Sequence, residues 1–107
     1  MFKSIYKKIS CDFNYLDKYG YTFSYDVKHY VVPSVVFENV TSAIRIGFNY
    51  ESDRIYIQWF PLKESLHGKQ LLDNIDFPSN SYKEQVKIAT AFLKNFLDGK
   101  YPKDIIH

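Results

Sequence analysis

Three histidines are the first residues to weigh for chemistry: His29, His67 and His107. A nucleophile needs a base within hydrogen-bond reach, and the base needs a third group to orient it. The carboxylates that could take that part are Asp26 near His29, and Asp73 and Asp76 near His67. His107 ends the chain, His67 precedes Gly68 in an expected loop, and His29 lies near the end of an expected strand. None stands in a recognisable catalytic motif, so the expectation is that the chain is not an enzyme. The patterns HExxH, CxxC and the EF-hand loop are absent, and His67-Gly68-Lys69 is too short to form a phosphate loop. Glu51-Ser52-Asp53 reads as turn chemistry, and Asp73-Asn74-Ile75-Asp76 is a second acidic pair. No metal and no cofactor is expected. Cys11 is the only cysteine, which rules out an internal disulfide and a multi-cysteine zinc site. Two residues from the apolar stripe of a helix, it reads as a small packed side chain.

The 14 basic and 12 acidic residues give a net charge of +2 and are interspersed along the chain. Nucleic-acid binders carry a basic stripe, whereas the local excess here (Lys3, Lys7, Lys8 and Lys18 against Asp12 and Asp17) reads as a solvated helix face. Tyr56 beside Arg45 and Arg54 could stack bases from the outer face of a sheet, but these are the only two arginines. Ten tyrosines, with nine phenylalanines and one tryptophan, are the unusual feature. Tyr15, Tyr19, Tyr21, Tyr25 and Tyr30 crowd the junction between the first helix and the first strands. Tyrosine suits protein interfaces, with a large rigid body and a polar tip; it equally suits half-exposed core edges, and both readings stand.

The elements that position these residues read as helix, strands, helix in a single domain spanning 1–107. Phe2, Ile5, Ile9, Phe13 and Leu16 recur at steps of three and four, which predicts a helix over Phe2–Lys18. Asp12 and Asn14 weaken it, and Gly20 ends it. Residues 21–60 are rich in Tyr, Val, Ile, Phe and Thr and predict strands over Thr22–Tyr30 and Ser34–Val40, interrupted at Pro33. In Ser42–Phe60, Ile44, Ile46, Phe48 and Tyr50, then Ile55, Ile57 and Trp59, alternate with smaller or polar residues. That pattern predicts a hairpin with a four-residue loop at Glu51–Arg54, pairing Tyr50 with Ile55, Phe48 with Ile57 and Ile46 with Trp59. Gly47 within it marks a bulge or a close approach. Residues 62–78 are ambiguous, with Leu62, Leu66 and Gln70 at helical spacing but interrupted by Gly68. Ser81 and Glu84 fit a capping box ahead of a helix with the apolar stripe Val86, Ala89, Phe92, Leu93, Phe96 and Leu97, stopped by Gly99 and Pro102. The expected fold is α+β, with about four mainly antiparallel strands in a single layer packed against an N-terminal and a long C-terminal helix.

The run Leu16-Asp17-Lys18-Tyr19-Gly20-Tyr21, the aromatic hairpin Ile46–Ile57 and the closing helix Tyr82–Leu97 together resemble the small immunity proteins of bacterial contact-dependent inhibition and polymorphic toxin systems. The resemblance lies in size and element order and covers about three-quarters of the chain. It implies an inhibitor without activity of its own, which binds a cognate toxin, often a nuclease domain, and blocks its active site or an essential surface. No binding residue carries over by position. The acidic and tyrosine side chains of the 21–60 segment, Tyr25, Asp26, Glu38, Glu51, Asp53 and Tyr56, are the expected contact residues. Inhibitors of basic nucleases are often acidic, and this chain is slightly basic. With no apolar run near the ~18 residues of a membrane span and no secretory signal in MFKSIYKKIS, a cytoplasmic monomer or weak dimer without membrane or nucleic-acid partners is expected. The alternative is a small nucleic-acid-associated accessory protein, such as a phage encodes.

Overall fold

The computed structural model describes residues 2–65 and 67–99. His107, Pro102 and Leu66, and the side chains of Phe2 and Lys3, lie outside that description. The fold is α+β, as the patterning predicts. Strands β1 (Thr22–Val27), β2 (Ser34–Glu38), β3 (Ala43–Asn49), β4 (Arg54–Phe60) and β5 (Lys69–Leu72) form an antiparallel meander in that order. Helices α1 (Phe2–Asp12) and α2 (Tyr82–Leu97) pack on the same face of the sheet. One strand more than expected is present: β5, Lys-Gln-Leu-Leu, is four residues long and has no β-branched side chain to signal it.

A single core joins the elements. Ile9, Phe13 and Leu16, Val35 and Phe37 of β2, Ile44 and Ile46 of β3, Ile55 and Ile57 of β4, and Ala89 and Leu93 of α2 meet between helices and sheet. Each fully buried large side chain contributes about 1.5–3 kcal/mol. The first helix is shorter than its periodicity suggests. It ends at Asp12, Phe13 leaves helical geometry, and a 3-10 helix over Asn14–Tyr19 takes the chain to Gly20, whose φ of 87° closes the segment. Asp12 and Asn14 flank the break, and short polar side chains of this kind compete for backbone hydrogen bonds. Phe13 and Leu16 are still fully buried, because the tighter turn keeps both facing the sheet.

In the β3–β4 hairpin the same apolar residues face the core, but the register is two residues from the expected one. Phe48 pairs with Ile55, Ile46 with Ile57 and Ile44 with Trp59. An even shift preserves the faces. The loop is Tyr50–Asp53 because Asn49 organises it: its Oδ1 accepts from the Glu51 N–H at 2.9 Å, and Asp53 takes a φ of 56°. Tyr50 is drawn away from Ile55 as its N–H donates to the Val31 carbonyl at 2.9 Å.

Helix α2 begins where the capping box predicts, with the Ser81 hydroxyl accepting from the Glu84 N–H, but the return half of the box is replaced, since the Ser81 N–H donates to the Ser79 hydroxyl at 3.0 Å. Its most buried line is rotated from the expected stripe, however, and runs through Gln85, Ala89 and Leu93. Val86, Phe92 and Leu97 flank it, half-buried.

Two tyrosines at the helix–helix seam make the fold sensitive to base. Burial pushes the Tyr15 hydroxyl up to about 12, with the Thr90 hydroxyl partly opposing. Burial, reinforced by the Asp12 carboxylate, pushes Tyr82 up further. The unfolded chain releases these protons near pH 10 while the folded chain retains them, so the folded state binds more protons and stability falls as pH rises. Stability is therefore expected to be fully present below pH ~10 and to decline from there towards pH ~12. Denaturant unfolding at stepped pH checks this, and Tyr15→Phe with Tyr82→Phe should flatten the decline; an unchanged slope in the double variant would assign it to other groups.

Candidate protein-binding face

Among the described residues, both helices lie on one face of the sheet and no layer covers the second. Strand alternation puts Ser34, Val36 and Glu38 of β2, Ala43, Arg45 and Gly47 of β3, and Tyr56, Gln58 and Phe60 of β4 on that side. A cleft of about 340 Å³ lies there. Val36 and Ala43, both buried, form its floor; Tyr25 and Val27 of β1 border one side, and Phe60 with Lys63, Glu64, Ser65 and Gly68 the other. Residues 61–65 are tied down by the Lys63 N–H, which donates to the Thr41 carbonyl at 2.7 Å, and by the Lys63 ammonium on the Asn39 carbonyl at 3.4 Å. Arg45 stands within the cleft, half-buried, with its Nε donating to the fully buried Ser34 hydroxyl at 2.8 Å.

Tyr25 reaches this face through an irregularity. Phe23 pairs with Phe37, but Tyr25 pairs with Val36, so Ser24 is an extra residue in β1. The bulge puts Phe23 on the helix side and Tyr25, 48% exposed, on the open side. Asp26 consequently lies on the helix side with its partner Val35. It pairs with the Lys28 ammonium at 3.6 Å and borders a groove with Tyr6, Lys7 and Ser10 of α1.

The remaining expected contact residues are spread apart. Glu38 is at the end of β2 near Ala43 and accepts from the Ser24 hydroxyl at 2.9 Å. Glu51 and Asp53 sit at the opposite end of β3, exposed in the hairpin loop. Tyr56 is on the open face but lies flat over Gly47, with its hydroxyl donating to the Val32 carbonyl at 3.2 Å. Of the six, Tyr25 alone lines the cleft. Arg54, paired with Tyr56 in the base-stacking reading, is occupied: it donates to the Phe77 carbonyl, the Ser52 carbonyl and the Asn80 side chain.

The tyrosine cluster divides in the same way. Tyr21 is buried, and a hydrogen-bond chain runs through it. Ser42 Oγ donates to Asn39 Oδ1, which leaves the Tyr21 hydroxyl to donate to Ser42 at 2.6 Å and to accept from the Trp59 indole at 3.3 Å. Tyr15 and Tyr19 pack against the core, whereas Tyr25 and Tyr30 are exposed. His29 staples a turn: its Nδ1 accepts from the N–H groups of Val31 and Val32, both at 3.0 Å, and its ring stacks on Tyr30. Neither His29 nor His67 lines the open-face cleft. Among the described residues no three of His, Cys, Asp and Glu gather as metal ligands would, and no helix is long and apolar enough to cross a membrane. Cys11 is exposed, not packed as expected, because α1 turns it away from Ile9 and Phe13.

Gln58, Phe60, Lys63 and Ser65 were not singled out by sequence. Gln58 and Phe60 could have been found from the alternation that puts Ile57 and Trp59 in the core. Lys63 and Ser65 carry no such signal, because their place depends on how residues 61–65 fold back after β4. Comparison with protein-family models, with curated proteins and with solved structures finds no match to this chain.

Proposed function

We propose that the chain is a protein-binding module that neutralises a cognate toxin domain by covering its active site or an essential surface, as the immunity-protein resemblance implies, with a nuclease the expected class of toxin. It acts by contact alone, in the cytoplasm, as a monomer or weak dimer when free. The observation that supports this reading is the one-sided sheet. Both helices cover one face, and the other presents a shaped surface with an aromatic anchor at Tyr25, a half-buried arginine and apolar ground at Val36 and Phe60. Aromatic and arginine anchors in an apolar setting carry most of the energy at protein interfaces.

Co-expression with the product of the neighbouring gene is expected to yield a complex that co-elutes and binds with roughly nanomolar affinity. Absence of a complex, or an affinity no better than micromolar, would count against the proposal. A nucleic-acid role draws less support, since Arg54 is held by internal carbonyls and Lys28 and Lys87 are in ion pairs. Oligonucleotide binding that weakens steeply with salt would nevertheless displace the toxin reading.

A further inference from the structure

We propose that the open-face cleft recognises a carboxylate, an Asp or Glu side chain presented by the protein partner, and that Arg45 is the residue that takes it. The inference rests on reading this face as the docking surface and adds the chemistry of what enters it. Arg45 is on a central strand, half-buried, and among the described residues it pairs with no carboxylate. A partly desolvated cation without a counter-charge is unfavourable, and supplying one from outside relieves that. Its orientation is already set. The Nε donates to Ser34, a hydroxyl with no exposure, so the guanidinium plane is held and, among the described residues, the two terminal nitrogens remain for an incoming anion. A planar fork fixed in this way suits the two oxygens of a carboxylate, and less ordering remains for the partner to impose.

The surroundings favour a protein carboxylate over a phosphate backbone. Gln58 and Tyr25 offer neutral polar groups beside Arg45, while Val36 and Phe60 offer apolar contact to the methylenes of an acidic side chain. Glu64 borders the same cleft and would repel a run of phosphates. Arg45 and Lys63 against Glu64 leave a single net positive charge, enough for one acidic side chain and short of the several phosphate contacts that nucleic-acid binding requires.

The test titrates the ¹⁵N-labelled protein with the blocked tripeptide acetyl-Gly-Glu-Gly-amide, its Gln counterpart, inorganic phosphate and a single-stranded oligonucleotide. The Glu peptide is expected to shift the Arg45 Nε–H and Gln58 side-chain signals with an affinity on the order of millimolar, and the Gln peptide to leave them in place. Arg45→Gln should weaken the Glu response by about tenfold or more, with α2 amide signals unchanged to show that the variant is folded. Equal response to the two peptides, no response at Arg45, or a stronger response to phosphate or oligonucleotide would overturn the inference. The unsubstituted protein decides all three of these without any variant. If a protein partner binds the open face while Arg45 ignores the Glu peptide, carboxylate recognition fails and the docking surface stands. If Arg45 responds to the peptide although no partner is captured, the inference holds and the toxin reading is what has failed.

Discussion

Replacing Gln85 with alanine is expected to destabilise the protein by about 3 kcal/mol, an effect produced by a polar residue on a helix face read as apolar. Gln85 has no exposed surface. Its Oε1 accepts from the Ile55 N–H at 2.6 Å, and its Nε2 donates to the carbonyls of Asp53 and Ser79 at 2.8 and 2.9 Å. The reason lies in the sheet. Strand β5 pairs with β4 over Trp59 to Ile57 and goes no further, so at Ile55 the side of β4 away from β3 has no neighbouring strand. Gln85 supplies the acceptor that a longer β5 would have supplied, and at the same time ties α2 and the segment before it to the β3–β4 loop. Alanine leaves the Ile55 donor buried and unpaired, at about 1–3 kcal/mol, adds a cavity, and frees two carbonyls that sit nearer the surface and can regain water. At roughly 4–8 °C per kcal/mol for a domain of this size, the melting temperature should fall by more than about 10 °C. Gln85→Met, similar in length without polar groups, should recover the packing contribution alone. A loss below about 1 kcal/mol for the alanine variant would show that the three bonds do not hold the hairpin to the helix.

Gly47→Ala is the second large effect, expected at about 2–3 kcal/mol. Gly47 is opposite Tyr56 on β4, and a Cβ at position 47 would collide with the Tyr56 ring. The glycine is required by that close approach and not by its backbone angles. The ring covers the bare backbone, and its hydroxyl fixes the 28–33 connection through Val32. A methyl group at position 47 therefore displaces the ring, breaks that bond and exposes the sheet. The two positions should be strongly non-additive. In a Tyr56→Ala background the collision is gone, and Gly47→Ala should be neutral or stabilising by up to about 1 kcal/mol. Additive losses in the double-variant cycle would mean that Tyr56 does not lie over Gly47. Tyr56 thus acts on the fold, so its substitution is a poor probe of partner binding, whereas Tyr25 and Arg45 are good ones.

These residues also show how far the fold and the face were legible in sequence. Period-two alternation assigns the faces of β3 and β4 correctly even though the pairing slips by two, since face depends on parity and register on the loop. That loop is set by Asn49 and the positive φ of Asp53, neither of which alters the alternation. Capping chemistry places the start of α2 at Ser81 because it is local. Gln85 is invisible to patterning because its role depends on where β5 stops. The bulge at Ser24 is equally hidden, and it moves Tyr25 to the open face and Asp26 to the helix side. Expected contact residues chosen by charge and ring type were therefore scattered, whereas the cleft is assembled from a bulge, a folded-back segment and the outward half of β4.

Side-chain solvent footprinting of the chain, alone and in complex with the neighbouring gene's product, tests most directly whether the uncovered side of the sheet is where a partner sits. Tyr25 and Phe60 should become protected in the complex, while the outward side chains of α1 and α2 keep their free reactivity. Protection confined to the helices, with Tyr25 and Phe60 unchanged, would contradict this account of how the molecule makes contact.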